Sequence, residues 1–290
     1  MKAKPNAAPA HGPEPEAPAR SGVLERTLGI LEHLSAHSQG RPLASIADEL
    51  GLPRSAAHRL LTDLCRCGYV RQLREHGDYV LTTKLVALGL HFLSDSGVVD
   101  VAQPLLDRLA ERSGEFVRLG VIDNDQLTWV AKAQGARRGL RYDPEMGMEA
   151  RLSCTASGHA WLLTLPDDKV IARVARQGLG SRADFGPNAP RNLRELLAMV
   201  GTARQRGYSL TQETFVAGMT AMAAPVRRAG QAAVGVISIA GPASRFDEAR
   251  MRALGPTLLA AADELAAVSG ASLLFGKSTA PDRRHPVTVL

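Results

Sequence analysis

Between Pro53 and Cys67 the chain carries Arg54, Ser55, His58, Thr62 and Arg66 on one side of a helical repeat, with Arg59 on its flank. These are side chains that read nucleic acid. Arg binds guanine through two hydrogen bonds, while Ser, Thr and His adapt as donors or acceptors to base edges and phosphate. Ala56, Ala57, Leu60, Leu64 and Cys67 fall within about 60° of the opposite direction, the face that buries itself. The donors cluster near the helix start, the end that usually meets base edges. Alone, such a stripe also fits any solvated amphipathic helix, so its neighbours decide.

Those neighbours form a winged helix-turn-helix pattern. Leu43, Ile46, Ala47 and Leu50 have the spacing of one buried helical face. Gly51 suits a left-handed helix end, Leu52 fills the corner, and Pro53 suits a first helical turn. A preceding helix, opened by Ser21-Gly22-Val23-Leu24-Glu25-Arg26 with apolar positions 24, 28, 31 and 34, is expected to support the reading helix from behind. After Gly68, Tyr69–Leu73 and Tyr79–Leu81 are β-prone runs around the polar turn Arg74-Glu75-His76-Gly77-Asp78. This order predicts a module that places the Pro53–Cys67 helix in the major groove of duplex DNA. Arg71, Arg74 and His76 stand where a wing can touch phosphate or minor groove. A dyad operator requires at least a dimer, and Leu85, Leu88 and Phe92 on the next helix offer apolar surface for pairing.

A chain of 290 residues predicts two domains, and a hydrophobic content of 45% gives each a core. The net charge of +6 suits nucleic acid without demanding it. Residues 1–20, rich in Pro and Ala, read as a disordered tail rather than a signal peptide. There is no run of 18 consecutive apolar residues, hence no expected membrane span. Three cysteines, Cys65, Cys67 and Cys154, make no disulfide framework or zinc-finger spacing. A reduced, cytoplasmic protein is the simple expectation, with no cofactor and no metal.

Past the wing, a linker helix capped by Thr82 or Thr83 is expected over Lys84–Leu93, broken by Ser94-Asp95-Ser96-Gly97. Asp100 is expected to cap the next helix, which ends near Gly114. Strands follow at Glu115–Ile122 and Gln126–Ala133, joined by Asp123-Asn124-Asp125. Helices are expected over Ala156–Leu165, from Asp167 or Asp168, from Asn192 to Arg206 and from Asp247 to about Val268. Further strands are expected at Tyr208–Thr211, Thr220–Val226 and Ala233–Ala240, with Gly241-Pro242 as a turn. The order suggests one antiparallel sheet with helices packed on it. Gly178-Leu179-Gly180-Ser181-Arg182-Ala183 resembles a dinucleotide fingerprint, but lacks the preceding strand and following helix that it needs. Cys154, Ser157 and His159 are close in sequence, yet no base and orienting acid accompany them.

The blocks Leu52-Pro53-Arg54-Ser55-Ala56-Ala57-His58-Arg59-Leu60-Leu61, Gly68-Tyr69-Val70, Thr155-Ala156-Ser157-Gly158-His159-Ala160, Met222-Ala223-Ala224-Pro225-Val226 and Ser238-Ile239-Ala240-Gly241-Pro242 resemble the IclR (isocitrate lyase regulator) family of bacterial transcription regulators. The resemblance covers about residues 21–270. It implies a winged-helix domain, a linker helix and a GAF-like effector domain, in dimers that often pair into tetramers on operator DNA. It also implies a metabolite pocket at the positions of Tyr142, Ala156, Ser157, Gly158, Thr211, Ala221, Ser238 and Ala240. Ala221, Thr211 and Ala240 replace the cysteine, aspartate and serine of the glyoxylate- and pyruvate-sensing members, and His159 stands where lysine is usual. A less polar pocket for an aromatic or longer acid follows, with Arg141 or Arg151 as partner for its carboxylate.

The expected architecture is α+β: an N-terminal winged helix-turn-helix domain (21–82), a linker helix (83–97) and a C-terminal α/β effector domain with an antiparallel sheet (98–270), between tails 1–20 and 271–290. The expected function is a DNA-binding regulator whose operator binding responds to a small organic acid. The alternative is an enzyme acting on a small metabolite, with an attached winged helix.

Overall fold

Thirteen-residue helix α1, Val23–Ser35, opens the first unit. Helix α2, Leu43–Glu49, is followed by Leu50 as its cap and by Gly51 at φ +63°. That left-handed backbone is nearly free for glycine and lets the chain turn into α3, Arg54–Arg66, with Pro53 as N-cap. Strands β1, Val70–Gln72, and β2, Tyr79–Leu81, pair antiparallel with Val70 opposite Leu81. Ile30, Leu34, Ile46, Leu60, Leu61, Leu64, Val70 and Tyr79 make the core of this unit. Helix α4 spans Lys84–Ser96.

The computed structural model describes residues 22–272 apart from 75, 76, 143 and 145, together with Phe275. The chain divides into two compact units between Leu90 and His91. The cut falls inside α4, in the stretch read as a linker. The expected N-terminal tail, most of the C-terminal tail and His76 of the wing lie outside the described residues.

In the second unit α5, Val98–Ser113, leads into a five-stranded antiparallel sheet. Its strands are β3 (Phe116–Asp123), β4 (Gln126–Gln134), β5 (Ser209–Gln212), β6 (Met219–Val226) and β7 (Gly235–Pro242), in the order β4-β3-β7-β6-β5. Asn124 and Asp125 take positive φ and close the β3–β4 turn, as the Asp-Asn-Asp signal demands. Helices α6 (Ala156–Leu162), α7 (Asp167–Gln177) and α8 (Leu193–Arg206) cover one face. Val117, Leu119, Ile237 and Ile239 on the other face join a core that includes Leu106 of α5 and Leu258 of α9, Glu248–Val268. The Asn192 and Asp247 side chains accept the Glu195 and Arg250 backbone N–H groups, so both expected N-caps are present.

Several expected details differ. Leu24 and Leu28 of α1 are exposed, while Ile30 and Leu34 point inward. Cys67 lies beyond α3 as its C-cap and is exposed, and Leu61 is buried in its place. Helix α3 contacts α1, α2 and β1, so its buried arc is wider than one stripe. Helix α4 runs on through Ser94-Asp95-Ser96, and the break comes only at Gly97, φ +63°. The next helix therefore starts at Val98, which puts Asp100 in its first turn rather than at its cap. Gly241 and Pro242 finish β7 instead of turning the chain.

Candidate functional site

Helix α3 presents Arg54, Ser55, His58, Arg59 and Thr62 to solvent, all exposed. The packing of Ala57, Leu60, Leu61 and Leu64 fixes the rotation of the helix and so decides which residues face out. Arg54 stands 3.9 Å from Asp48, a contact between two side chains each 70% exposed. It constrains the guanidinium little, because exposed ion pairs contribute little. The Thr62 hydroxyl donates to the His58 carbonyl at 2.9 Å and keeps acceptor capacity. Arg66 pairs with Asp63 at 3.0 Å. The C-terminal end of this region is tied down: Lys84 Nζ donates to the Cys67 carbonyl at 2.7 Å, and the Thr82 hydroxyl to the Gly68 carbonyl at 2.6 Å. The wing turn is closed by the Gly77 N–H donating to the Arg74 carbonyl at 2.8 Å, and Arg71 and Arg74 are both exposed. This is a firmly backed helix with mobile-length donors on its outer face, next to a hairpin carrying two cations.

The second unit holds a narrow cavity of about 430 Å³, part of it open to solvent, between the sheet and the start of α6. Only about 40 Å³ of that space is enclosed enough to hold solvent-sized groups. That is well below the roughly 300–1,000 Å³ of a typical small-molecule site, so a ligand here requires the walls to open. Strand register builds its floor. Thr211 pairs with Ala221, Ala221 with Ala240 and Ala240 with Phe116; on the next rung outward-facing on the same side, Ala223 pairs with Ser238 and Ser238 with Arg118. Tyr142, Ala156, Ser157, Thr211, Ala221, Ser238 and Ala240 all line the cavity, joined by Arg118, Phe215, Val216 and Met219. Gly158 does not. A Cβ there would stand 2.5 Å from the Leu152 Cα and 2.7 Å from the Arg151 carbonyl oxygen, so its role is close backbone packing under α6.

Arg118 is the residue that the sequence reading missed. It is buried at 6% exposure, with its guanidinium carbon 3.6 Å from the centre of the Trp129 ring. The Tyr142 hydroxyl lies close enough to act on its charge, while its Nε is buried without a hydrogen-bond partner. Burial pushes its pKa down to about 10, which leaves it charged at neutral pH. Among the described residues no carboxylate pairs with it, and a buried charge without a counter-ion is costly. The signal was present: one arginine stands inside Phe116–Ile122, a strand otherwise buried throughout. Arg141 and Arg151 are exposed and do not line the cavity.

The remaining polar groups sort by what already engages them. Thr155, Thr211, Thr214 and Thr220 donate to the carbonyls of Arg151, Ala221, Cys154 and Phe246. Thr155 Oγ1 also accepts the Gly158 N–H at 2.9 Å, so the start of α6 is capped from within and offers an anion less than its position suggests. Ser157 Oγ accepts from Trp129 Nε1 at 3.4 Å and retains its own proton to donate. Ser238 is buried and faces the cavity. The cavity thus has a cationic, donor-rich end and an apolar body of Ala156, Ala221, Ala240, Phe215, Val216 and Met219. That is the form of a receptor for an organic anion.

Cys154, Ser157 and His159 do not form a nucleophilic set. Burial pushes the Cys154 thiol up to about 11 and pushes the fully buried His159 down. His159 Nε2 is held 2.8 Å from the Ser153 carbonyl. Gly178 is the C-cap of α7, so the Gly178–Ala183 segment follows a helix rather than a strand.

Comparison with known proteins covers both units. The family profile described as the IclR helix-turn-helix domain matches residues 23–74, and that of the bacterial transcriptional regulator IclR C-terminal matches residues 90–267. The chain is 30% identical over 257 residues to the transcriptional repressor IclR of Escherichia coli, covering 88% of this chain and 93% of that one. It is 32% identical over 244 residues to the HTH-type transcriptional regulator BhcR of Paracoccus denitrificans, covering 84% and 85%. An IclR homolog from Microbacterium hydrocarbonoxydans, solved in complex with 4-hydroxybenzoate, shares the fold with a TM-score of 0.70 at 21% identity, over 87% of this chain and all of that one.

Proposed function

Because the chain belongs to the IclR family of bacterial DNA-binding transcriptional regulators, we propose that it binds a dyad operator through α3 and the wing, and that a small organic carboxylate in the sheet cavity sets its operator affinity. The observation that carries the carboxylate is Arg118: a buried, charged guanidinium with an orphan N–H and, among the described residues, no acidic partner. A ligand carboxylate supplies the missing charge and accepts two charge-assisted hydrogen bonds, with Ser157 and Ser238 as further donors. The alanines at 156, 221 and 240 give the narrow cavity short apolar walls that suit an aromatic or longer body once it opens, and a protein of the same fold takes 4-hydroxybenzoate. The enzyme reading loses ground because the Escherichia coli and Paracoccus denitrificans relatives are a transcriptional repressor and a transcriptional regulator, and Cys154 is held as a thiol. A regulator of this kind works beside the chromosome, in the cytoplasm.

Calorimetry against a panel of aromatic and short-chain acids tests the proposal. One acid is expected to bind, with affinity lowered about tenfold or more when Ser157→Ala and Ser238→Ala are combined, since a hydrogen bond to a charged group contributes about 1.5–3 kcal/mol. Unchanged affinity in the double variant places the ligand elsewhere, and chemical conversion of the acid restores the enzyme reading.

Operator binding is expected to weaken steeply as salt rises, because each phosphate contact releases counter-ions. Arg74→Ala is expected to lower affinity for all sequences alike and to flatten the salt slope by about one unit. A slope near zero argues against DNA as the partner.

The assembly is proposed to be a dimer that can pair into a tetramer. Val86, Leu88, Leu90 and Phe92 of α4 are all at least half exposed, an unusual apolar run on one chain. Light scattering at micromolar concentration is expected to give a dimer or tetramer mass, and a monomer mass overturns the assignment.

A further inference from the structure

His33 and His37 stand one helical turn apart where α1 runs out, His33 in the last turn and His37 just past the cap residue Ala36. Glu49, the last residue of α2, closes against them. One ligand-type atom from each of the three lies within 4.8 Å of the others. The two imidazole rings are 4.6 Å apart between centres.

Three details make this more than a crowded corner. His37 Nδ1 is 2.8 Å from the His33 carbonyl oxygen. An imidazole that donates there carries its proton on Nδ1 and keeps an unprotonated Nε2, the state a metal takes. His33 Nε2 is buried with no hydrogen-bond partner, on a side chain only 11% exposed, and it faces Glu49 Oε2 at 3.4 Å. Arg41 Nη2 stands 3.1 Å from Glu49 Oε1 and donates to Oε2 at 3.5 Å, so it holds the carboxylate through both oxygens beside the histidines. A second-layer contact of this kind commonly positions a ligating carboxylate.

We propose that His33, His37 and Glu49 bind a divalent transition metal ion that ties the end of α1 to α2 in the DNA-binding unit. Two imidazoles and one carboxylate suit Zn²⁺ and its analogues Co²⁺ and Ni²⁺, and suit Mg²⁺ and Ca²⁺ poorly, since those prefer oxygen alone. Bonds of about 2.0–2.2 Å require the three ligand atoms to close by roughly 1 Å, which rotation of the half-exposed Glu49 and of His37 supplies. Water takes the fourth position. The competing account is a plain ion pair between protonated His33 and Glu49, which needs no metal.

Co²⁺ titration of the full-length protein, followed by visible absorption, separates the two. The expected result is a single Co²⁺ per chain with nitrogen–oxygen d–d bands, displaced by Zn²⁺. His37→Gln and Glu49→Gln are each expected to weaken binding about tenfold or more while leaving the metal-free melting temperature unchanged. In the wild type, Zn²⁺ is expected to move the side-chain ¹⁵N signals of His33 and His37, a readout that needs no variant. The proposal is overturned if the wild type binds no Co²⁺ at this site, if both variants bind as tightly as wild type, if a thiolate band shows Cys65 or Cys67 as ligand, or if those histidine signals stay in place.

Discussion

Arg118→Met is expected to abolish acid binding while leaving the protein at least as stable as wild type. The first half follows from charge. Removing one partner of a buried, hydrogen-bonded charge pair costs about 2–5 kcal/mol, a loss of roughly thirtyfold or more in affinity. The second half follows from the free protein, in which the guanidinium is buried against Trp129 with an unpartnered Nε and a pKa pushed down to about 10 by desolvation. Methionine fills similar volume without a charge, and replacing buried ionic groups by apolar ones is often neutral or stabilising. Calorimetry and thermal unfolding read the two halves. A variant that still binds the acid removes Arg118 from the site; one that melts far below wild type makes Arg118 a structural residue.

The second large effect lies on α3. Arg54→Ala and His58→Ala are each expected to weaken specific operator binding by about 1–3 kcal/mol and to relax sequence choice at the contacted base pairs. Both side chains are exposed, and Arg54 makes only the long contact to Asp48, so neither substitution disturbs the core. Their combined effect need not be additive, since residues four apart on a helix are neighbours. Fluorescence anisotropy on operator and on scrambled duplex separates base reading from phosphate attraction: the loss is expected on operator and to be much smaller on scrambled DNA. Wild-type affinity in both variants means that another surface reads the sequence.

Much of this was legible where local chemistry and tertiary packing agree. Gly51, the Asn124-Asp125 turn and the Asn192 and Asp247 caps each have a backbone requirement that one residue type meets, and the structure places them accordingly. The exposed face of α3 was readable because four buried residues fix its rotation. Errors arose where a local signal competed with a wider context. Ser94-Asp95-Ser96 reads as a break, yet Ser96 Oγ donates to the Leu93 carbonyl at 2.6 Å and His91 lies 3.4 Å from Asp95, so the helix absorbs all three. Gly241-Pro242 reads as a turn, but at the end of β7 the missing proline N–H is tolerated while Pro242 still pairs with Met219. Arg118 escaped notice because its importance depends on which strands flank it. Only the register that sets Ser238 beside it, and the cavity above both, turn a lone charge in an apolar strand into a candidate binding group.

The central claim, that an acid held by Arg118 governs DNA binding, is tested by one titration. An operator selected from random duplexes is titrated with wild type and with Arg118→Met, each with and without the acid that binds wild type. Ligand couplings of about 1–3 kcal/mol are usual, and an acid can shift the operator affinity only as far as it prefers one state of the protein. The expected result is a shift of several-fold in the wild type, and none in Arg118→Met, whose acid-free affinity matches wild type. An equal shift in both proteins, or no shift in the wild type at saturating acid, contradicts the claim.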